Sequence, residues 1–530
     1  MASPLLTAQV YPNKGLGFLT LGASLHDVLT RLKAQPQIFP KLDLSYSPSQ
    51  PIETPVLLSL PENGLRLRFD GPDQRLRLIE VLDFAKSKLS YKNSDIVKPA
   101  ANPRALTLDT PAGPNGPTFR HVYNRLFGPA FPGEYMPPSH RDDGSAQGTY
   151  VLSYPGIAFS FPLLASAWSD NVDFVSLLSS QAASPATSMA IFDGSSWADA
   201  RSHLYTRQPQ HPRSIALAGK AKDGGPDEIE QVRIHGEGRI ELLRRTAPPF
   251  WIVLSETTPQ DLIAELGPPD AVYQKNDRRL NIHRTRTVGG DDSRRSSGLS
   301  SARRDSTDTD LSSSQTGTDD SDDEAHAISA ADHRAMSSSE CFFNYFHHGF
   351  DIFISQPTCP SPAPPGSSPD STAPSPEKAS VQGSTSHLTA TKLLLHANIP
   401  GSYPFNRHRR SRWTLEYDAS GVHPEPVSSE MAFEDIAGRL REIWKSAYSS
   451  EEEERSLQRG MVLNRGWGDS PGSSCELLGG WEESLGGKRK ENGDAAAMGE
   501  QGLGNTELFG FPGLVFEVLK NGAVSCLTVF

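Results

Sequence analysis

Apolar positions in this chain switch repeatedly from a spacing of three or four residues to an alternation of two, and the switch recurs four times. That pattern predicts a repeated unit, a short amphipathic helix followed by strands that end in an apolar hairpin. In the first copy Leu25, Val28, Leu29 and Leu32 share one helical face, and Ser24 with Asp27 forms a variant of the capping box. Strands follow at residues 56–60, 64–70 and 76–81. In the middle one Leu65, Leu67 and Phe69 alternate with Arg66 and Arg68, the pattern of a half-buried strand. Asn63-Gly64 and Gly71-Pro72-Asp73 supply the turns.

The second copy starts at Thr118, with Val122, Leu126 and Phe127 on a helix before Gly128-Pro129 and strands at 150–154 and 156–161. The third opens with Thr258 as N-cap and Pro259 at the first helical position, and Gly267-Pro268-Pro269 stops it. Its strands, at 341–346, 349–354 and 392–397, lie beyond a long insert. A fourth pairs a helix near 433–443 with strands at 513–519 and 524–529, joined by the hairpin signal Asn521-Gly522. Further strands are expected between Arg201 and Arg245, such as 215–218 and 229–234. The fold class is therefore α+β, tandem modules of a short helix packed on small antiparallel β-sheets. Their boundaries fall at 1–100, 101–256 with the extra strands, 257–284 plus 340–417, and 418–530.

Three inserts interrupt the modules. Residues 285–339 are Ser, Asp, Thr and Arg with almost nothing to bury, and are expected to be disordered. Inside them Ser296 and Ser306 follow basic pairs and Ser321 sits among acids, patterns that suit charge-reading kinases. The same runs read equally well as solvated spacers. Residues 356–388 are rich in Pro and Ser, and 466–505 are Gly-rich with mixed charge.

At 530 residues the chain is too long for one ordinary core, and its 36% hydrophobic share is low because of these inserts. A net charge of -12 argues against nucleic acid as a partner. The four cysteines, Cys341, Cys359, Cys475 and Cys526, include no CxxC spacing, which fits a cytoplasmic protein better than a disulfide-stapled one. No window approaches the roughly 20 apolar residues of a membrane span.

The sequence offers no catalytic constellation: it lacks a phosphate-binding Gly-rich loop, a zinc-protease helix and a nucleophile elbow. A non-enzymatic protein without a cofactor is expected. His347-His348 could meet a metal with Cys341, but adjacent strand residues point to opposite faces, so the pair reads as part of a turn. The conspicuous cationic patch is Arg407, His408, Arg409, Arg410, Ser411, Arg412 and Trp413. Its four arginines and tryptophan suit an acidic partner or anionic lipid, at about 1 kcal/mol per basic side chain near a membrane. A solvated strand edge whose arginines discourage aggregation accounts for them better than a membrane contact does, since a lone cluster of this size is marginal for anchoring.

Three stretches carry a resemblance. They are Leu44-Ser45-Tyr46-Ser47 with Gln74 to Val81, Cys341 to Phe346 with Gly349 to Ile352, and the run His396-Ala397-Asn398-Ile399-Pro400-Gly401-Ser402-Tyr403-Pro404-Phe405-Asn406. In this order they resemble the phagosome assembly factor family, and the strands around Phe159 and Phe516 match too. The resemblance implies an adaptor or scaffold in autophagy, cytoplasmic and recruited to the phagophore assembly site with a β-propeller (WD-repeat-like) partner that recognises phosphoinositide. It carries no catalytic residues. The other reading is a Golgi or endosomal trafficking factor that binds anionic membrane directly through the basic patch.

Overall fold

The computed structural model describes residues 5–98, 116–138, 147–169, 171–207, 227–274, 340–357, 387–402, 404–417, 426–464 and 505–530. Nearly all of the three inserts, the serines Ser296, Ser306 and Ser321, and the expected strand at 215–218 lie outside these residues.

The helices form where the pattern places them. Ser24 caps Leu25–Lys33 by accepting from the Asp27 N–H at 3.1 Å, and Leu25, Val28, Leu29 and Leu32 are buried. Thr258 and Asp261 make a reciprocal capping box at the start of Pro259–Leu266. The second helix is a short Phe119–His121 segment that widens into a π-helical turn, Val122–Leu126. The fourth, Phe433–Ile443, buries Phe433, Ile436, Ala437 and Leu440.

Strands follow each helix in meanders of four, and the meanders do not stand alone. Two of them join through their last strands, Leu76–Val81 and Ser188–Ile191, into one antiparallel eight-stranded sheet. Its order is Glu134–Met136, Gln147–Tyr154, Ile157–Leu164, Ser188–Ile191, Leu76–Val81, Leu65–Phe69, Val56–Leu60 and Asp43–Ser45. The other two meanders join the same way through Thr389–His396 and Val524–Val529. That sheet runs Ala271–Gln274, Cys341–Tyr345, Phe350–Ser355, Thr389–His396, Val524–Val529, Leu514–Leu519, Asn505–Phe511 and Met461–Asn464.

The expected small separate sheets are thus corrected: the copies pair two by two, because a four-stranded unit would leave both edges unpaired. Two small sheets accompany the large ones, each built around a parallel pair distant in sequence. Leu6–Tyr11 pairs with Ser87–Tyr91, and Ile229–Ile234 pairs with Trp413–Leu415. The second pairing also corrects the boundary at 256, since the strands at 229–253 pack into the core of the later half.

Two principal cores follow. One joins the first two helices to the first large sheet; the other joins Leu262, Leu266, Phe433 and Leu440 to Phe350, Leu393 and Phe516 of the second. On the opposite face Arg66 and Arg68 converge on Glu80 at 2.6 and 2.8 Å. Glycines at matching turns of the two halves take positive φ, 66° at Gly64 and 89° at Gly349. A Cβ at Gly349 would sit 2.4 Å from the Arg409 carbonyl oxygen, so this turn has room only for glycine.

Candidate functional site

The segment from His396 to Trp413 leaves the strand Thr389–His396, loops over the first half and enters Trp413–Leu415. Its polar groups are aimed inward. Asn398, at φ 51°, donates from Nδ2 to Gln74 Oε1 at 2.9 Å, and Gln74 Nε2 donates to the Asn398 carbonyl at 2.8 Å. Asn398 Oδ1 in turn accepts from the Asn406 N–H at 2.7 Å, closing the loop on itself. The two most distinctive sequence stretches therefore meet each other in a buried amide pair.

The basic run forms the rest of this seam. Arg410, 3% exposed, donates to the carbonyls of Pro72, Ala397 and Ser429 at 2.6, 2.9 and 3.3 Å. Burial pushes its guanidinium down to about 10. Arg409, 7% exposed, bonds Glu228 at 2.8 Å, and Glu228 also holds Arg75. Arg412 bridges Asp73 and Glu430, at 2.6 Å to each. Trp413 is 2% exposed and packs against Phe516.

This corrects the expectation of a lipid-facing or solvated patch: Arg409, Arg410 and Trp413 are buried, and Arg412 is half-buried in ion pairs. Arg407 is the exposed member, with its guanidinium 5.9 Å from the Phe346 ring centre. The inward turn has a physical cause. The run follows a crossing loop whose neighbours are acidic, Asp70, Asp73 and Glu228, and buried charge is held only when paired.

Beside the seam lies a cluster that no local motif announces. Asp351 in Phe350–Ser355 accepts from His396 Nε2 at 2.9 Å, His408 Nε2 at 2.8 Å and Asn344 Nδ2 at 2.7 Å. The two imidazoles stack with centroids 3.8 Å apart at 17°. Cys526 lies directly across the strand pair from His396. Burial alone would raise the Asp351 carboxyl, but the two imidazoles outweigh it and hold it well below the usual carboxylate range. Burial pushes His408 down to about 4. It also disfavours the His396 imidazolium, yet Cys526 and Asp351 outweigh it and lift His396 to about 10.

These residues are 45 and 12 positions apart in sequence, so no spacing rule gathers them. The available signal was Asp351 itself, a lone carboxylate inside a strand buried on both faces. The turn pair behaves differently. His347 bonds Asp270 at 2.6 Å, and His348 is buried against Phe350, so the two point apart from the cluster around Asp351.

The architecture defines a class before it gives a family: a β-rich α+β protein of two halves, locked together through buried polar contacts, with its arginine run turned inward. The chain belongs to the phagosome assembly factor 1 family, whose sequence profile matches residues 15–297 and 381–530. It is similar to a PHAF1 protein of Arabidopsis thaliana, 23% identical over 530 residues that cover 98% of this chain and 92% of the relative. A PHAF1 protein of Drosophila melanogaster is 20% identical over 546 residues, covering 99% and 94%. One from Caenorhabditis elegans is 28% identical over 158 residues, 29% of this chain and 32% of its own. No solved structure matches.

Proposed function

We propose that the chain is a non-enzymatic adaptor in autophagy, recruited with a β-propeller partner to the phagophore assembly site. Family membership along most of the chain carries this reading. Two further features support it. The polar residues that look most like chemistry are consumed in internal bonds around Asn398, Arg410 and Asp351. The outer edges of the second large sheet, Ala271–Gln274 and Met461–Asn464, meanwhile expose apolar side chains. Val272 is 54% exposed, Tyr273 61%, and Met461 and Val462 62% each. An edge strand offers unpaired backbone, and such side chains suit the addition of a partner strand.

In this reading the partner supplies phosphoinositide recognition. Direct binding of anionic lipid through Arg407, Arg409, Arg410 and Arg412, the trafficking alternative, is disfavoured by the inward direction of Arg409 and Arg410. Among the described residues no helix is long and apolar enough to cross a membrane.

The test is affinity purification of the tagged full-length chain from starved and fed cells, read by mass spectrometry. A β-propeller protein is expected at stoichiometric yield. Its yield should fall at least tenfold on Val272→Lys with Tyr273→Lys, or on Met461→Lys with Val462→Lys, at unchanged melting temperature. Recovery of no such partner, with salt-sensitive flotation on anionic liposomes, overturns the proposal in favour of direct lipid binding.

A further inference from the structure

We propose that Asp351, His396 and His408 form a site for one zinc ion that fastens together the two ends of the loop between residues 396 and 408. Three donor atoms, one from each side chain, lie within 4.8 Å of one another. They come from three separate places: the strand Phe350–Ser355, the end of Thr389–His396, and the segment just before Trp413–Leu415. Two imidazole nitrogens and one carboxylate oxygen are a donor set that zinc favours.

The spacing fits. Donors around tetrahedral zinc stand at about 2.0–2.2 Å from the metal, and so roughly 3.4 Å from one another. Here His408 Nε2 stands 2.8 Å from one oxygen of the Asp351 carboxylate and His396 Nε2 2.9 Å from the other, and one donor atom from each side chain falls within 4.8 Å of the rest. The two rings stack nearly parallel, with centroids 3.8 Å apart at 17°, so binding an ion requires the imidazoles to turn until both Nε2 lone pairs meet on it. Both imidazoles already present Nε2 to the same carboxylate, one to each oxygen. Asn344 holds that carboxylate from behind at 2.7 Å, the kind of outer bond that orients a ligand.

Among the described residues no fourth His, Cys, Asp or Glu donor joins these three within 4.8 Å, so the fourth position would fall to water. The Asp351 carboxylate would offset half of the dication's charge, which matters where water is largely excluded: Asp351 is 7% exposed and His408 3%.

The position gives the ion a purpose. His396 and His408 bracket the loop that carries Asn398 and Asn406, and that loop grips Gln74 of the first half. An ion joining the two histidines would hold the loop in the form that makes this grip, coupling metal binding to the seam between the halves.

The experiment uses the full-length chain, purified without chelator, with metal content measured by mass spectrometry and Zn2+ titrated into the stripped protein. About one zinc per chain is expected. Co2+ added in its place should give the visible d–d bands of a tetrahedral site. Chelation should lower the melting temperature and speed amide exchange at 397–412 and 70–75 together. Asp351→Asn and His408→Asn should abolish stoichiometric binding. Asn344→Leu, which leaves every ligand in place, should weaken it about 10–100-fold. Should these variants fail to fold, metal content and the chelator response of the parent chain still decide. A parent chain that takes up less than half an equivalent, or that melts identically with Zn2+ and with chelator, overturns the proposal. The three groups would then be joined by a shared proton alone.

Discussion

Arginine shows most clearly how residue chemistry depends on surroundings in this chain. Arg407 and Arg410 are three positions apart in one basic run, yet one is exposed and the other donates to three carbonyls in the seam. Composition alone makes both cationic surface residues. Removing Arg410 strands several buried acceptors, each costing about 1–3 kcal/mol when unpaired. Arg410→Ala is therefore expected to destabilise the chain by about 3 kcal/mol or more in denaturant melts, whereas Arg407→Ala should stay within about 0.5 kcal/mol. Equal effects of the two changes would contradict the inward placement. One consequence concerns membranes: loss of liposome flotation on replacing all the arginines would report unfolding before it reported a lost lipid contact.

At the scale of elements, local signals decide most of what forms. Thr258 and Asp261 satisfy each other's backbone groups, so Pro259–Leu266 begins where Thr258-Pro259 says it should. Thr258→Ala is expected to cost about 1 kcal/mol, measured as a lower denaturation midpoint, with little change in the spectrum of the folded state. A change below about 0.3 kcal/mol would mean that tertiary packing alone sets this helix start. The hairpin at Asn521-Gly522 shows where a local signal gives the place but not the form. Gly522 alone takes positive φ, at 78°, and its N–H donates to the Leu519 carbonyl. A register shift sits next to it at Glu517 and Val518, so the turn is a longer one with a bulge and not the two-residue mirror-image type.

At the scale of the whole molecule, the halves are joined by contacts between residues more than 300 positions apart, chief among them Gln74 with Asn398. Because the pair is buried and reciprocal, the single changes Gln74→Ala and Asn398→Ala should each be costly, while the double change adds little. A double-mutant cycle is expected to give a coupling energy of about 0.5–3 kcal/mol, and additivity would show that the two sides act separately. Asn398 has a second role inside its own loop through Asn406, so its single variant should be the more damaging.

The sequence by itself determined the elements: helix faces at Leu25 to Leu32, caps at Ser24 and Thr258, and alternating strands such as Leu65–Phe69. Each rests on residues a few positions apart, whose spacing is fixed by backbone geometry. Its signature stretches also resembled the family that the whole-chain comparisons establish. Only the tertiary structure decided how the four copies share two sheets, that the strands after Ile229 belong with Trp413, and which way the arginines point. It alone brought Asp351, His396 and His408 together. Strand partners and buried polar neighbours are chosen by edges and charges hundreds of residues apart, and no local period records that choice.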